Sequence, residues 1–461
     1  MLTGGEDALA ALLGPRPVTT ARWGLDRIEA LLDQLGRPER TFRALHVAGT
    51  NGKGSTASFA ASMLAAGGLR TGLYTSPHLS DVRERFLVDG SWIEESVVQS
   101  AASRILDCGA SDACTYFEVS TALAFLCFAE CGVEVTVAET GLGGRLDATN
   151  VLRPAGTAIT PIGFDHTDLL GSSLRAIAGE KGGIFKRDVP ASLGRMDGVA
   201  LETLERIAAR TGSPVARLGR EAEVSEVRSE PEGTRFRYVS SARPGGVPLA
   251  TRLPGRYQAD NAALALLMLD RSGHEMDEAR VRRGVAQTRL PGRFELRREG
   301  PAGGTWVFDI AHNPAAAEAL CATLAELSPP RPLVAVVGLL ADKDWKAVLG
   351  RLALDSDAMI LTCPAASEGR VWDPAEAQAW MSRKGAANVT VSVDVAEAVA
   401  RGRELAGSGT VLVTGSAYTV GEARTQPAVA GAQIEKRRAR HAVRSETVAT
   451  DEGRADASRR A

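Results

Sequence analysis

The chain of 461 residues has no surplus of either charge: 54 Lys and Arg stand against 56 Asp and Glu, a formal net charge of −2. That argues against a broadly basic nucleic-acid surface and against a dominant acidic tail. No apolar run reaches the ~18 residues that a membrane-crossing helix needs. The first residues, Met-Leu-Thr-Gly-Gly-Glu-Asp7, lack the basic-then-apolar order of a secretory signal. Six cysteines (Cys108, Cys114, Cys127, Cys131, Cys321, Cys363) are scattered without a C-x-x-C. Cys127 and Cys131 could share a helix face as small core residues. The expectation is a reduced, cytoplasmic protein without membrane or nucleic-acid partners, acting as a monomer. No internal repeat is evident. Only about 45 residues precede the glycine-rich stretch at Leu45, too few for a separate substrate-binding domain.

That stretch is where the information lies. Leu45-His-Val-Ala-Gly-Thr-Asn-Gly-Lys-Gly-Ser-Thr56 runs from a short apolar segment, Ala44 to Ala48, through three glycines and a lysine. An Ala-rich segment, Thr56 to Ala66, then reads as a helix. Strand, glycine loop and helix in this order aim backbone N–H groups and a helix N-terminus at a phosphate. Gly49, Gly52 and Gly54 let the backbone turn around an anion, with Thr50 and Asn51 between them. Lys53 can reach the outer phosphates, and Ser55 or Thr56 can bind phosphate oxygens or a metal. The spelling departs from the common G-x-x-x-x-G-K-[ST], because a glycine separates Lys53 from Ser55.

Along the chain, residues 19–36 read as a helix, with Leu25, Ile28, Leu31, Leu32 and Leu35 at helical spacing. Strands are expected at 72–75, 133–139 and 157–162, with an apolar helix at 116–131. Each strand runs into a polar or glycine-bearing segment: Ser76-Pro-His78, Thr140 to Asn150, and Gly163 to Asp168. Strands alternating with helices indicate a parallel sheet, and ligands sit outside the carboxyl ends of such strands. Residues 213–255 read as a small β excursion, followed by a helix at 259–271 and a linker at Leu290-Pro-Gly-Arg-Phe-Glu295. Strand-like runs at 305–309, 333–338, 358–362, 389–393 and 410–414 then alternate with Ala-rich stretches. The expected organisation is α/β: a large P-loop-type parallel-sheet domain over 1–294, a smaller Rossmann-like domain over 295–424, and a disordered tail over 425–461. Within the tail, the basic cluster Lys436 to Arg440 reads as solvated rather than as a nucleic-acid contact.

Several residues carry possible chemistry. Glu139 ends a buried strand, where a carboxylate costs several kcal/mol unless it is paired or metal-bound. The alternative for it is a helix cap or salt-bridge partner. His166 follows the neighbouring strand between Asp165 and Asp168, and it reads equally as a hydrogen-bonded loop histidine. With Ser76 these make a mixed O/N set; Mg²⁺ takes oxygen ligands completed by phosphate, and the imidazole favours Mn²⁺. Lys181, near a helix end, reads on its own as a surface lysine. In Asp309-Ile-Ala-His-Asn-Pro314, Asn313 can cap a helix and Pro314 suits its first turn, which leaves Asp309 and His312 for a ligand. Arg293, in the hinge, could reach a nucleotide held by the first domain.

Taken in order, Gly49 to Ser55, Thr75-Ser-Pro-His-Leu79, Tyr116-Phe-Glu118, Glu139 to Asn150, Asp165-His-Thr167, Glu180-Lys-Gly-Gly-Ile184, Leu290 to Arg293, Asp309 to Pro314, Asp342-Lys-Asp344 and Thr414-Gly-Ser416 form a pattern. It resembles the bacterial folylpolyglutamate synthase and dihydrofolate synthase family of the Mur ligase superfamily, over roughly residues 20 to 424. The resemblance implies an ATP-dependent amide ligase. A carboxylate of dihydropteroate, or the γ-carboxylate of a folate, attacks the ATP γ-phosphate, and L-glutamate then attacks the acyl phosphate. By the same resemblance Gly52, Lys53, Gly54 and Ser55 hold phosphates. Ser76, Glu139 and His166 carry Mg²⁺, while Asn261, Arg293 and Asp309 contact ATP. Lys181 matches a carbamylated lysine, and the pterin side draws on Leu25, Asp26, Arg27, Phe117, Leu146, Asp147 and Ala148. Gly182, where alanine is usual, is expected to loosen the helix near Lys181, and Tyr257 replaces a common histidine. A UDP-sugar-peptide ligase would be expected to carry an N-terminal domain for which those 45 residues leave no room. A non-catalytic nucleotide binder would not need Lys53, Glu139, His166, Lys181 and Asp309 together.

Overall fold

The structure, a computed structural model, describes residues 7–14, 16, 24–196, 198–299, 303–365, 367 and 369–429. The disordered tail expected over 425–461 therefore lies outside the described residues from 430 onward; Val429 is described and buried. Contacts divide the chain into two units, Met1–Pro291 with Glu318–Leu327, and Gly292–Ala317 with the residues from Ser328.

The first unit is built on eight strands: β1 (Arg43–Ala48), β2 (Thr71–Tyr74), β3 (Phe86–Val88), β4 (Ser91–Trp92), β5 (Val135–Glu139), β6 (Pro154–Ile159), β7 (Ala191–Leu193) and β8 (Val215–Arg217). Their order in the sheet is β4-β3-β2-β5-β1-β6-β7-β8. From β2 to β8 every pairing is parallel, and β3 and β4 add an antiparallel edge. β1 lies between β5 and β6. The chain leaves it toward β2 on one side and reaches β6 on the other, so the strand order reverses at its carboxyl end.

All but the first residue of β1 is buried, as expected of a central parallel strand covered on both faces. Leu45 and Val47 face a core shared with the helices Lys53–Ala66 and Arg256–Arg271. Ala44 faces the opposite core, which includes the helix Tyr116–Glu130. The helices Lys53–Ala66 and Tyr116–Glu130 are buried almost all round. This is why they read as Ala-rich or apolar runs rather than as amphipathic stripes.

The helix expected over 19–36 is Asp26–Gln34; Gly24 and Leu25 lie outside it, and 17–23 are not described. The β excursion expected at 213–255 has two parts. Val215–Arg217 joins the main sheet as β8. Then β9 (Ala222–Glu230), β10 (Gly233–Ser240) and β11 (Arg243–Thr251) form their own antiparallel sheet.

The second unit carries β12 (Glu295–Arg298), β13 (Thr305–Phe308), β14 (Leu333–Val337), β15 (Ala358–Leu361), β16 (Val389–Val391) and β17 (Thr410–Thr414), in the order β12-β13-β17-β14-β15-β16. Five of these match the expected strands to within two residues. β12 starts at Glu295, the end of the expected linker, and pairs antiparallel with β13, so this smaller sheet is mixed. It is an edge strand whose Glu295 pairs with Arg297 and Arg424, and charge on an edge hides a strand from apolar patterning. Among the described residues no helix is long and apolar enough to cross a membrane.

Candidate active site

The carboxyl ends of β2, β5, β1 and β6, four neighbours in the sheet, carry the polar segments singled out from the sequence. The turn after β1 is tight. Gly49 has φ +144, and a Cβ on it would stand 1.8 Å from Thr160 Oγ1. Gly52 has φ +89, and its Cβ would meet Asn261 Oδ1 at 2.4 Å. Neither position admits a side chain without displacing its neighbour. Buried Asn261 donates from Nδ2 to Gln258 Oε1 at 3.0 Å, so it underpins the loop at Gly52. Thr50 joins the loop to the segment after β6: its N–H donates to Pro161 O, and the Gly163 N–H donates to its Oγ1 at 3.0 Å.

Lys53 opens the helix Lys53–Ala66, donates from Nζ to Thr50 O at 3.1 Å, and lies 3.9 Å from Glu139 Oε1. Glu139 is 3 % exposed and accepts the Ser76 N–H at Oε2 at 3.1 Å. Lys53, Glu139 and Ser76 thus come together as expected of a charge-handling cluster. His166 starts the short helix Thr167–Leu170 at φ +50, with Nε2 3.8 Å from Asp165 Oδ1. Among the described residues no three His, Cys, Asp or Glu side chains converge to form a metal cage by themselves. The residues still suit a hard cation that shares a phosphate. Glu139 supplies one carboxylate, and Mg²⁺ at phosphate sites keeps several waters. At the same ends of the sheet, buried Thr56, Thr140 and Thr160 leave their Oγ1 atoms without a protein hydrogen bond.

Lys181 corrects its surface reading. It ends the helix Leu174–Lys181, is only 5 % exposed, and donates from Nζ to Gly49 O at 2.5 Å. Burial first, then the charge of Lys53, pushes its amine down to about 7; Asp165, Asp147 and Glu139 pull the other way. Its sequence neighbours gave no sign of this, because the burial comes from the β1 loop far along the chain. Gly182 keeps helical backbone, and its N–H donates to Ala178 O and Glu180 O, so the helix end next to Lys181 is not loosened. A Cβ there would press on Ile207 and Leu204 at 3.0 and 3.1 Å.

The segment after β5 makes a second wall. Buried Asp147 accepts the Leu142 N–H at 2.8 Å and both the N–H and hydroxyl of Thr149, at 3.0 and 2.5 Å; burial raises its pKa. The Phe117 ring lies on Gly141, whose Cβ would fall 2.4 Å from Phe117 Cζ. Arg27 is held by Glu118 through two bonds of 3.1 and 3.0 Å. Leu25, Asp26 and Leu146 are at least partly exposed, whereas Ala148 is buried. Sequence reasoning gave no role to His46 or Thr149, and named Asp165 only as a neighbour of His166. The available signal was a histidine inside an otherwise apolar strand.

In the second unit Asp309 follows β13 and is buried. It accepts N–H groups from Phe294 at 2.8 Å and Ala311 at 2.9 Å, and burial raises its pKa against the pull of Arg293. His312 Nδ1–H donates to Ile310 O at 2.8 Å. Asn313 caps the helix Pro314–Leu327 through Oδ1, as expected.

Two domain families match the chain. Residues 47–269 match the Mur ligase middle domain and 292–417 the Mur ligase, glutamate ligase domain. The fold and these two domains define a Mur-type ligase. The chain is 35% identical to the dihydrofolate synthase/folylpolyglutamate synthase of Mycobacterium tuberculosis, over 91% of this chain and 94% of that one. The Mycobacterium tuberculosis folylpolyglutamate synthase crystallised with ADP and AMPPCP is 36% identical, with a TM-score of 0.82 over 91% of this chain and 98% of that one. A bifunctional folylpolyglutamate synthase/dihydrofolate synthase with Mn, AMPPNP and L-glutamate bound is 30% identical, with a TM-score of 0.77 over 91% of this chain and 98% of that one. The chain belongs to the dihydrofolate synthase/folylpolyglutamate synthase family, whose members are ATP-dependent ligases.

Proposed function

We propose that the chain joins L-glutamate through its amine to a carboxylate of dihydropteroate, or to the γ-carboxylate of a folate, with cleavage of ATP to ADP and phosphate. The observation that carries this reading is the cluster at the end of β1. A loop closed to side chains at Gly49 and Gly52 precedes Lys53, which stands 3.9 Å from the buried Glu139 carboxylate. Attack of a carboxylate on a triphosphate brings anion to anion, so the site must hold positive charge in place beforehand. Lys53 and the N–H groups at the start of the helix Lys53–Ala66 meet that need. Ser76, Glu139 and His166 would hold a divalent cation, Mg²⁺ or Mn²⁺, which supplies further neutralisation of the phosphate oxygens.

In the first half-reaction a carboxylate oxygen bonds to the γ-phosphorus and ADP leaves. In the second the amine bonds to the acyl carbon, phosphate leaves and the amine loses a proton. Asn261 supports the phosphate loop, while Arg293 and Asp309 serve ATP. Leu25, Asp26, Arg27, Phe117, Leu146, Asp147 and Ala148 serve the acceptor, and His312 serves substrate.

Lys181 acts as its carbamate. A neutral amine attacks CO₂, the N–C bond forms, and the proton goes to water. Burial and the adjacent Lys53 make that neutral amine available near pH 7. The carbamate keeps one N–H, so its bond to Gly49 O survives the modification.

The reading is tested by ADP release with L-glutamate present, comparing dihydropteroate with tetrahydrofolate as acceptor. Acceptor-dependent release with either supports the ligase, and the pair of rates assigns one or both activities. Release independent of both acceptors overturns the reading.

A further inference from the structure

His46 has no role in the chemistry above, yet it is a fully buried imidazole in the strand that leads into the phosphate loop. Strand alternation puts it on the face of Ala44, opposite Leu45 and Val47. Its Nε2 lies 2.8 Å from Thr149 Oγ1, and that hydroxyl donates to Asp147 Oδ1 at 2.5 Å. Its Nδ1 is buried without a partner. A hydroxyl has one proton, and Thr149 gives it to Asp147. The bond to His46 is therefore one that Thr149 accepts, and His46 must carry its proton on Nε2.

The reverse proton order would put a hydrogen on Asp147 and on His46 Nδ1. It is disfavoured on two counts. Asp147 already takes N–H bonds from Leu142 and Thr149 besides the hydroxyl, and these favour an ionised carboxylate against the burial that raises its pKa. It would also leave a buried Nδ1–H unsatisfied, which costs more than an unused lone pair.

The same segment is fixed from its other end. Lys186 Nζ donates to Asn150 Oδ1 at 2.9 Å, and Asn150 Nδ2 donates to Arg145 O at 2.9 Å. The Thr149 hydroxyl is thus the bond through which β1 reaches Asp147, whose carboxylate the Leu142 and Thr149 N–H groups also hold.

We propose that His46 is a positioning residue for the acceptor: through the Thr149 hydroxyl it fixes the rotamer of Asp147 in the wall that receives the pterin-bearing substrate. The strand that shapes the phosphate loop thereby also sets the acceptor wall, with no contact of its own to either substrate. This rests on the assignment of Asp147 to the acceptor side.

The test is a set of steady-state measurements on full-length His46→Leu, His46→Gln, Thr149→Val and the Leu/Val double variant. His46→Leu should raise KM for the pterin acceptor at least tenfold, with KM for ATP and for glutamate within twofold of the parent. His46→Gln, which can place an N–H near the Nε2 position, should recover most of the loss. The double variant should be no worse than the worse single one. In the unaltered protein, ¹⁵N NMR should find His46 as the neutral Nε2–H tautomer.

Equal changes in all three KM values, or none in a folded His46→Leu protein, would overturn the proposal. An Nδ1–H tautomer would do so even if every variant failed to fold. If the parent enzyme shows no acceptor-dependent ADP release, it is the ligase reading that has failed.

Discussion

Half-buried Lys53 faces the buried Glu139 carboxylate at 3.9 Å, and each was legible from its own neighbours. A lysine after glycines at the start of a helix, and a carboxylate at the end of an apolar strand, are unusual enough to mark themselves. Removing the ammonium should cost what charge-stabilising groups typically cost: Lys53→Ala is expected to slow ADP release by about 10²–10³-fold. Circular dichroism should show an unchanged fold. Near-parental turnover would mean that Lys53 does not stabilise the transferring phosphoryl group.

Lys181 was not legible in the same way. Its local setting, Glu-Lys-Gly-Gly at a helix end, is that of an ordinary exposed lysine, and its burial beneath Gly49 is a tertiary fact. As a carbamate it would help neutralise the cation site during acyl-phosphate formation. Lys181→Ala should therefore depress that step while leaving glutamate KM near the parental value, and added acetate should partly restore the rate. Full activity without acetate would show that the amine needs no modification.

At the scale of elements, the sequence located strands whose residues are apolar throughout, because parallel strands covered on both faces leave no alternation to misread. It passed over β3, β4 and β7, each of two or three residues, too short to set up a period. It also passed over β12, where edge charges conceal the strand. The helix expected over 19–36 took in Leu25, which sits in phase with Ile28 and Leu32, yet Leu25 is the residue just outside the helix.

The loop after β1 was read correctly as a turn, but its reason is clearer in three dimensions. Its glycines are pressed against other elements, Thr160 at the end of β6 and Asn261 on a packed helix. Gly49→Ala should consequently act on the whole phosphate cradle. Its Cβ would sit 2.9 Å from the Thr160 backbone nitrogen as well as on the hydroxyl, and backbone cannot step aside as a side chain tip can. We expect ATP affinity to fall by at least tenfold, read by calorimetric titration, with little change in the helix content. Unaltered ATP binding by the alanine variant would show that the loop can shift without loss of the site.

For the whole molecule, buried bases tie stability to pH, and His46, Lys181 and His274 all have pKa values lowered first by burial and so work in the same direction. Burial, with a smaller contribution from Lys186, depresses His46 to about 3 from an ordinary 6.5. Between those values the unfolded chain takes up a proton that the folded one refuses. Its contribution is thus complete above pH 6.5 and is lost as pH falls toward 3. Lys181 behaves alike in a higher window: unfolded it is protonated up to 10.5, folded only up to about 7. Free Lys181 therefore penalises the fold fully below pH 7, and the penalty disappears between 7 and 10.5. In either window the slope is at most about 1.4 kcal/mol per pH unit.

The proposed carbamylation would remove the cation that burial penalises, so CO₂ would act as a ligand of the folded state and stabilise it by mass action. Calorimetric unfolding in CO₂-free buffer should give a melting temperature that rises from pH 7 to 9. Bicarbonate should raise it most near pH 8, where amine and dissolved CO₂ coexist. Lys181→Met should abolish the bicarbonate effect and most of the slope, of which partly buried Lys186 keeps a part, while leaving the acid limb of His46 and His274 in place. A bicarbonate response that persists in Lys181→Met would place the reactive amine elsewhere in the chain.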